Sequence, residues 1–171
     1  MSKNAIYILI IFLCVVCFAG FVEAGIANKD KSVKQLPLPR FVTLSADEVN
    51  VRVGPGIRYP IKLVLKKERL PVEIIKEFDV WREVRSIDGD AGWVHKSLLS
   101  GKRSVIIKDY IQTIYKKPNK KSKPVVKLEP GVIARLDHCK NEWCYLNVAS
   151  YKGWIKRENI WGVYSDEAVE K

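Results

Sequence analysis

From Phe41 onward, apolar and polar residues alternate in short runs, the period of strands with one buried face. Val49, Val51 and Val53 alternate with Asn50 and Arg52 until Gly54-Pro55-Gly56 breaks the run. Leu63 and Leu65 flank Val64 before a charged turn at Lys66-Lys67-Glu68-Arg69, and Leu70, Val72 and Ile74 alternate again. Phe78-Asp79 marks a turn, and Trp81 to Ile87 reads as a strand. Asp88-Gly89 predicts a type I′ hairpin, because glycine accepts the positive φ such a turn needs. Trp93-Val94 restarts a strand, and Lys96 to Leu99 is long enough only for a helical turn. No stretch holds a 3.6-residue period for ten residues. Five short strands joined by turns predict an all-β fold, a small barrel.

The pattern then recurs. Trp81 is matched by Trp143, and Gly92-Trp93-Val94 by Gly153-Trp154-Ile155. Leu65 is matched by Leu128 ahead of Glu129-Pro130-Gly131, and Pro60-Ile61 by Pro124-Val125. A repeat at this spacing predicts two copies of one domain, over residues 41–102 and 103–164, with a tail at 165–171.

The N-terminal region differs. A short, mildly basic start precedes an almost wholly apolar run from Ile6 to Val22, which ends at Val22-Glu23-Ala24 with no basic cluster behind it. This is the layout of a signal peptide spanning residues 1–24, and it predicts an exported chain, periplasmic or extracellular, that meets a membrane only through an uncleaved signal. Residues 25–40 are polar, end in Leu-Pro-Leu-Pro-Arg and read as a linker. Beyond residue 24 the net charge is +11, unevenly spread: +1 over residues 41–100 and +9 over 101–161.

The motif Val49-Asn50-Val51-Arg52-Val53-Gly54-Pro55-Gly56, with Tyr59-Pro60, Trp81 and Gly92-Trp93-Val94, resembles the bacterial SH3 domain family, often written SH3b. The second repeat keeps Pro118, Gly131, Trp143 and Gly153-Trp154 but lacks the Gly-Pro-Gly loop. The span from Leu36 to Tyr164 is similar to two-repeat exported proteins of this type from alphaproteobacteria. The resemblance implies two tandem SH3-like barrels that act as a cell-envelope binding module, of the kind found beside peptidoglycan hydrolases.

No catalytic apparatus is expected. Two barrels consume residues 41–161 and leave no room for a companion peptidase fold. His138 and Cys139 are neighbours in a strand, so their side chains point to opposite faces. Cys139 is better placed to meet Cys144 across a hairpin whose turn is Lys140-Asn141-Glu142-Trp143, and an exported chain permits that disulfide. The two remaining cysteines and two histidines make no closed zinc site, and no cofactor is expected. Trp93 and Trp154, each following glycine, are expected in the core. Trp81 and Trp143 fit a groove or the core equally. Arg52, Arg58 and Tyr59 flank the Gly-Pro-Gly loop, which either borders the ligand groove or is a solvated turn. Lys116, Lys117, Lys120, Lys121, Lys123 and Lys127 fall within twelve residues that hold no acid. They form either a solvated loop or a surface for an anionic partner. Export argues against nucleic acid, which leaves peptidoglycan, another anionic envelope polymer, or an envelope protein.

Overall fold

The computed structural model describes residues 36–170. The apolar run and the cleavage site expected at its end lie outside the described residues. Among the described residues no helix is long and apolar enough to cross a membrane.

Among the described residues fourteen strands form two antiparallel sheets, each curled into a barrel. The first holds β1 (Arg40–Leu44), β2 (Val49–Arg52), β3 (Ile61–Leu65), β4 (Pro71–Phe78), β5 (Trp81–Arg85), β6 (Ala91–His95) and β7 (Leu99–Ser100). The second holds β8 (Ser104–Ile107), β9 (Gln112–Tyr115), β10 (Pro124–Leu128), β11 (Ile133–Lys140), β12 (Trp143–Val148), β13 (Tyr151–Lys156) and β14 (Ile160–Trp161). Strand order is β3-β2-β6-β5-β4-β1-β7 in one and β10-β9-β13-β12-β11-β8-β14 in the other, the same topology twice. A 3₁₀ turn precedes the last strand of each, at Lys96–Leu98 and Arg157–Asn159. Even the irregularities match: the long strands β4 and β11 each slip register beside the same hairpin, between Ile74 and Lys76 and between Leu136 and His138.

Each core is filled by the period-two positions. Val42, Leu44, Val49, Val51, Val72, Ile74, Val84 and Val94 fill the first. Val105, Ile107, Ile114, Leu136, Cys144, Leu146 and Ile155 are among those filling the second. Strand parity corrects the expectation for two tryptophans. Val94 and Ile155 are fully buried, so their neighbours Trp93 and Trp154 must point outward, and both are only half-buried. The glycines before them serve closure. A Cβ on Gly92 would stand 2.7 Å from the Arg52 carbonyl oxygen, and one on Gly153 would stand 2.8 Å from that of Tyr115. These are the points where β6 crosses β2 and β13 crosses β9, each through a single residue pair.

Two turns also differ from expectation. Asp88-Gly89 lies in a longer loop, Ser86 to Asp90, in which Gly89 alone takes positive φ (87°), so the turn is not type I′. The β11–β12 turn is Asn141-Glu142, two residues rather than four, with Asn141 at φ 52°. Cys139 and Cys144 are therefore directly opposite, with Cα atoms 4.0 Å apart, and they are disulfide-bonded.

Some strands are buried on both faces, and they mark where the barrels meet. In β1, Val42 and Leu44 enter the first core. Phe41 turns the other way and packs against Trp161 and Tyr164, with ring centroids 4.9 and 4.7 Å away. Thr43 Oγ1 lies 2.7 Å from Ser104 Oγ, and Ser104 Oγ donates to the Arg69 carbonyl at 2.7 Å. A serine hydroxyl has one proton, so Thr43 must donate to Ser104 in this chain. The segment read as a tail is seated on the second barrel: Cys139 N–H donates to Val169 O at 2.9 Å, and Val169 packs on that core.

Candidate binding surface

With the core faces assigned, the outer faces of the two barrels can be compared position by position. In the second barrel β12 presents Trp143 and Tyr145, β13 presents Trp154 and Lys156, β9 presents Tyr115 and β11 presents His138. The backbone pairs Trp143 with Lys156, Tyr145 with Trp154 and with His138, and Trp154 with Tyr115. The result is an aromatic strip. His138, Tyr145 and Trp154 form a mutual cluster with centroids 5.1–5.4 Å apart, and Tyr115 meets Trp143 at 6.0 Å. All five rings are half-buried.

The first barrel has Trp81, Glu83, Trp93, His95, Arg52 and Lys76 at the same six places. Both tryptophans are retained. The His138–Tyr145 stack is replaced by a Lys76–Glu83 ion pair at 2.9 Å, and Tyr115 by Arg52. Trp81 stays half-buried with its ring edge on His95, 5.5 Å away. Parity counted from Cys144 could have found Tyr145 and His138 in the sequence; the slip in β11 hid their pairing.

Beside each face stands the loop between the second and third strands of its barrel. Val53 N–H to Pro60 O (3.1 Å), Gly56 N–H to Gly54 O (3.0 Å) and Tyr59 N–H to Gly56 O (3.2 Å) shape the first loop. Lys116 to Lys123 (3.0 Å), Asn119 to Lys117 (2.7 Å) and Ser122 to Asn119 (3.0 Å) shape the second. The three bonds are equivalent, and the loops have equal length. This sets Pro60 against Lys123, one residue away from the match made by sequence.

The decoration of the frame is opposite in the two copies. In the first, Arg52 Nη1 donates to Tyr59 O at 2.7 Å, and the Tyr59 ring packs so tightly on Gly54 that a Cβ there would come within 2.5 Å of it. The Arg58 guanidinium lies 5.2 Å over the same ring. Val53 and Ile57 are left exposed, Ile57 at 83%. In the second, Lys116, Lys117 and Lys120 take the places of Val53, Gly54 and Ile57, and Lys121 and Lys123 those of Arg58 and Pro60. Lys127 replaces Val64 on the following strand. All six lysines are exposed, and among the described residues none has an ion-pair partner. Ser122 Oγ and Asn119 Oδ1 accept from Lys117 N–H (3.1 Å) and Lys121 N–H (2.9 Å), which fixes the backbone beneath the charges. Tyr115 and Lys120 line one shallow hollow, so the cationic loop adjoins the aromatic strip. The structure thus joins Lys116, Lys117, Lys120, Lys121 and Lys123 to the Trp143 side of the second barrel, and Arg52, Arg58 and Tyr59 to the outer face of the first.

The perturbed ionisable groups lie elsewhere, at the junction of the barrels. Burial, followed by the hydrogen bond to Glu73, pushes the Tyr164 hydroxyl well above its ordinary range. Burial alone would raise the Glu167 carboxyl, but hydrogen bonds from Arg103 and from the Tyr164 N–H outweigh it, and the group sits below its usual value. Among the described residues no group of three His, Cys, Asp or Glu is arranged to hold a metal ion.

A Bacillus subtilis (strain 168) protein named “Putative N-acetylmuramoyl-L-alanine amidase YrvJ” is 27% identical over 140 residues, covering 75% of this chain. The chain spans only 27% of that relative's length. The solved structures of NlpC2 and NlpC1 from Trichomonas vaginalis share 14% and 16% identity with it, at TM-scores of 0.35 and 0.34. The matches cover 78% and 74% of this chain and 51% and 46% of theirs. The profile of the bacterial SH3 domain matches twice, over residues 45–101 and 108–162, one match to each barrel, and on that evidence the chain belongs to the bacterial SH3 domain family.

Proposed function

We propose that this chain is an exported, non-catalytic binding module of the bacterial cell envelope, and that its second barrel holds peptidoglycan or another anionic wall polymer. The observation that carries this reading is the lysine loop. The first barrel builds the same loop on the same three backbone hydrogen bonds without one lysine, so folding does not call for the cations. Clustering six unpaired cations costs self-repulsion, which an anionic ligand relieves. At physiological salt, exposed charges more than about 8–10 Å apart are screened, so a compact cluster is what keeps a useful field. The aromatic strip beside it supplies ring faces against which sugar rings can lie. The Bacillus subtilis relative, by its name a putative N-acetylmuramoyl-L-alanine amidase, supports the same setting.

Pelleting the full chain with purified sacculi, at increasing salt, tests the proposal. The parent should bind, and binding should weaken steeply as salt rises. Replacing Lys116, Lys117, Lys120, Lys121 and Lys123 with Gln should remove the salt-sensitive part and leave the circular dichroism unchanged. If the Gln variant binds like the parent, the loop is only a solvated surface. A second reading, a protein adaptor, is favoured by the exposed Val53, Ile57 and Ile61 on the first barrel. An adaptor would ignore sacculi and capture one defined envelope protein through that surface.

A further inference from the structure

A second hollow lies away from both loops. It is a cleft of about 460 Å³ between the two barrels, within the size range of small-ligand sites. Thr43, Leu44, Ser45 and Ser100 line it from the first barrel, and Ile133, Arg135, Asn147 and Val148 from the second. Four cations border it, Arg69, Lys102, Arg103 and Arg135, against one acid, Glu68. Two of these guanidiniums are weakly committed. Arg69 approaches Glu68 only to 3.6 Å and Arg135 approaches Asp137 only to 3.7 Å, both beyond good hydrogen-bond length. Among the described residues Lys102 has no ion pair at all.

Arg103 is anchored, by its Nη groups to Glu167 and by Nη2 to the Gly162 carbonyl at 2.8 Å. Its Nε is buried with no partner. A buried charged donor left without an acceptor costs free energy, and such groups call for an explanation. The backbone that carries Arg69 is also held, at φ 57°, by the Ser104 hydroxyl of the opposite barrel. The cleft thus has two cations, Arg69 and Arg103, on held supports, hydroxyls and an amide that can accept or donate, and aliphatic patches from Ile133 and Val148.

We propose that this inter-barrel cleft is a second ligand site, distinct from the lysine loop, for a small molecule bearing an oxyanion on an aliphatic or peptide body. It exists only because the two barrels are fused, since neither repeat supplies more than part of the wall. Carboxylate and phosphate share the required chemistry, and the probes separate them. Amide chemical shifts of the full chain are followed during titration with N-acetyl-alanyl-alanine, with its C-terminal carboxamide, and with inorganic phosphate. The free acid or phosphate should move the amides of Ser100, Lys102, Asn147 and Ala149 while the carboxamide leaves them still. A response to the acid alone assigns a carboxylate ligand, and a stronger response to phosphate assigns a phosphoryl one. The Arg69→Gln/Arg135→Gln variant, both side chains being exposed, should keep the fold and weaken the response about tenfold or more. The lysine-loop Gln variant should leave it unchanged. The proposal falls if neither oxyanion moves these amides, if the carboxamide binds as well as the acid, or if the arginine variant responds like the parent.

Discussion

Removing one hydroxyl tests how firmly the two barrels are joined. Tyr164 follows β14 of the second barrel, and its Oη donates to Glu73 Oε1, on β4 of the first, at 2.7 Å. Glu73 is 6% exposed, and its other oxygen accepts Arg85 Nε and Nη2 at 2.9 and 2.6 Å. Tyr164→Phe keeps the ring on Phe41 and the backbone bonds, and deletes only the donor. A hydrogen bond to a charged acceptor contributes about 1.5–3 kcal/mol. Arg85 still pairs the carboxylate in the variant, so the loss belongs at the lower end, about 1.5–2 kcal/mol. For a chain of this size that is roughly 3–8 °C in Tm. The difference should also depend on pH. The folded-state pKa of Tyr164 is raised above its unfolded value near 10, so the stabilisation is complete below about pH 10 and declines as pH rises beyond it. Urea denaturation of parent and variant across pH 7–11 measures both effects. A difference under about 0.5 kcal/mol at pH 7, within the range of ordinary surface substitutions, would refute the reasoning. So would a difference that stays constant through pH 11.

Two further outcomes are expected. Gly92→Ala sets a Cβ 2.6–2.7 Å from Val51 Cγ1 and the Arg52 carbonyl oxygen, and should destabilise by about 1–3 kcal/mol or more in denaturant melts. Gly101→Ala, with nothing within 4 Å, should be nearly neutral, and equal effects at the two sites would sink the closure argument. Reducing the Cys139–Cys144 disulfide, which closes a six-residue loop, should cost about 2 kcal/mol by the chain-entropy model, with thiol titration confirming that the bond is open; an unmoved midpoint would reject it.

The repeat, the strand positions and the all-β class were legible because alternation reports the wet and dry faces of a strand directly. The glycine-tryptophan motif is legible as a landmark, but the face its tryptophan takes is not. Tryptophan is large and apolar, so the core attracts it in a sequence reading, yet Val94 and Ile155 hold the inward parity. The lysine cluster could be located without coordinates; its equivalence to the Gly-Pro-Gly loop could not be seen in register, because proline placed the match one residue off. The junction was illegible for a different reason. In Phe41-Val42-Thr43-Leu44 and Ser104-Val105-Ile106-Ile107 both parities are buried, one in a core and one between barrels, and such runs carry no mark of which surface covers the second face. Nor could residues 165–169 announce that Arg103 and Arg157 hold them: Arg157 donates to the carbonyls of Tyr164, Ser165 and Glu167 at 2.8–3.0 Å.

Because the two loops share their terminal hydrogen bond and both inner turns, they are interchangeable cassettes on a common socket. Exchanging residues 53–60 with 116–123 alters seven side chains in each barrel's outer rim, Pro55 and Pro118 being alike, while the socket at Arg52–Ile61 and Tyr115–Pro124 keeps its closing bond. Duplication of such a domain therefore separates inheritance of the scaffold from inheritance of its chemistry. One copy can retain a compact apolar loop pinned by Tyr59, and the other can become a polycation pinned by Ser122 and Asn119, with no renegotiation of either core. For protein engineering, the proposed lysine-loop site makes this eight-residue insert the place to vary, and a library confined to it leaves both buried cores unchanged.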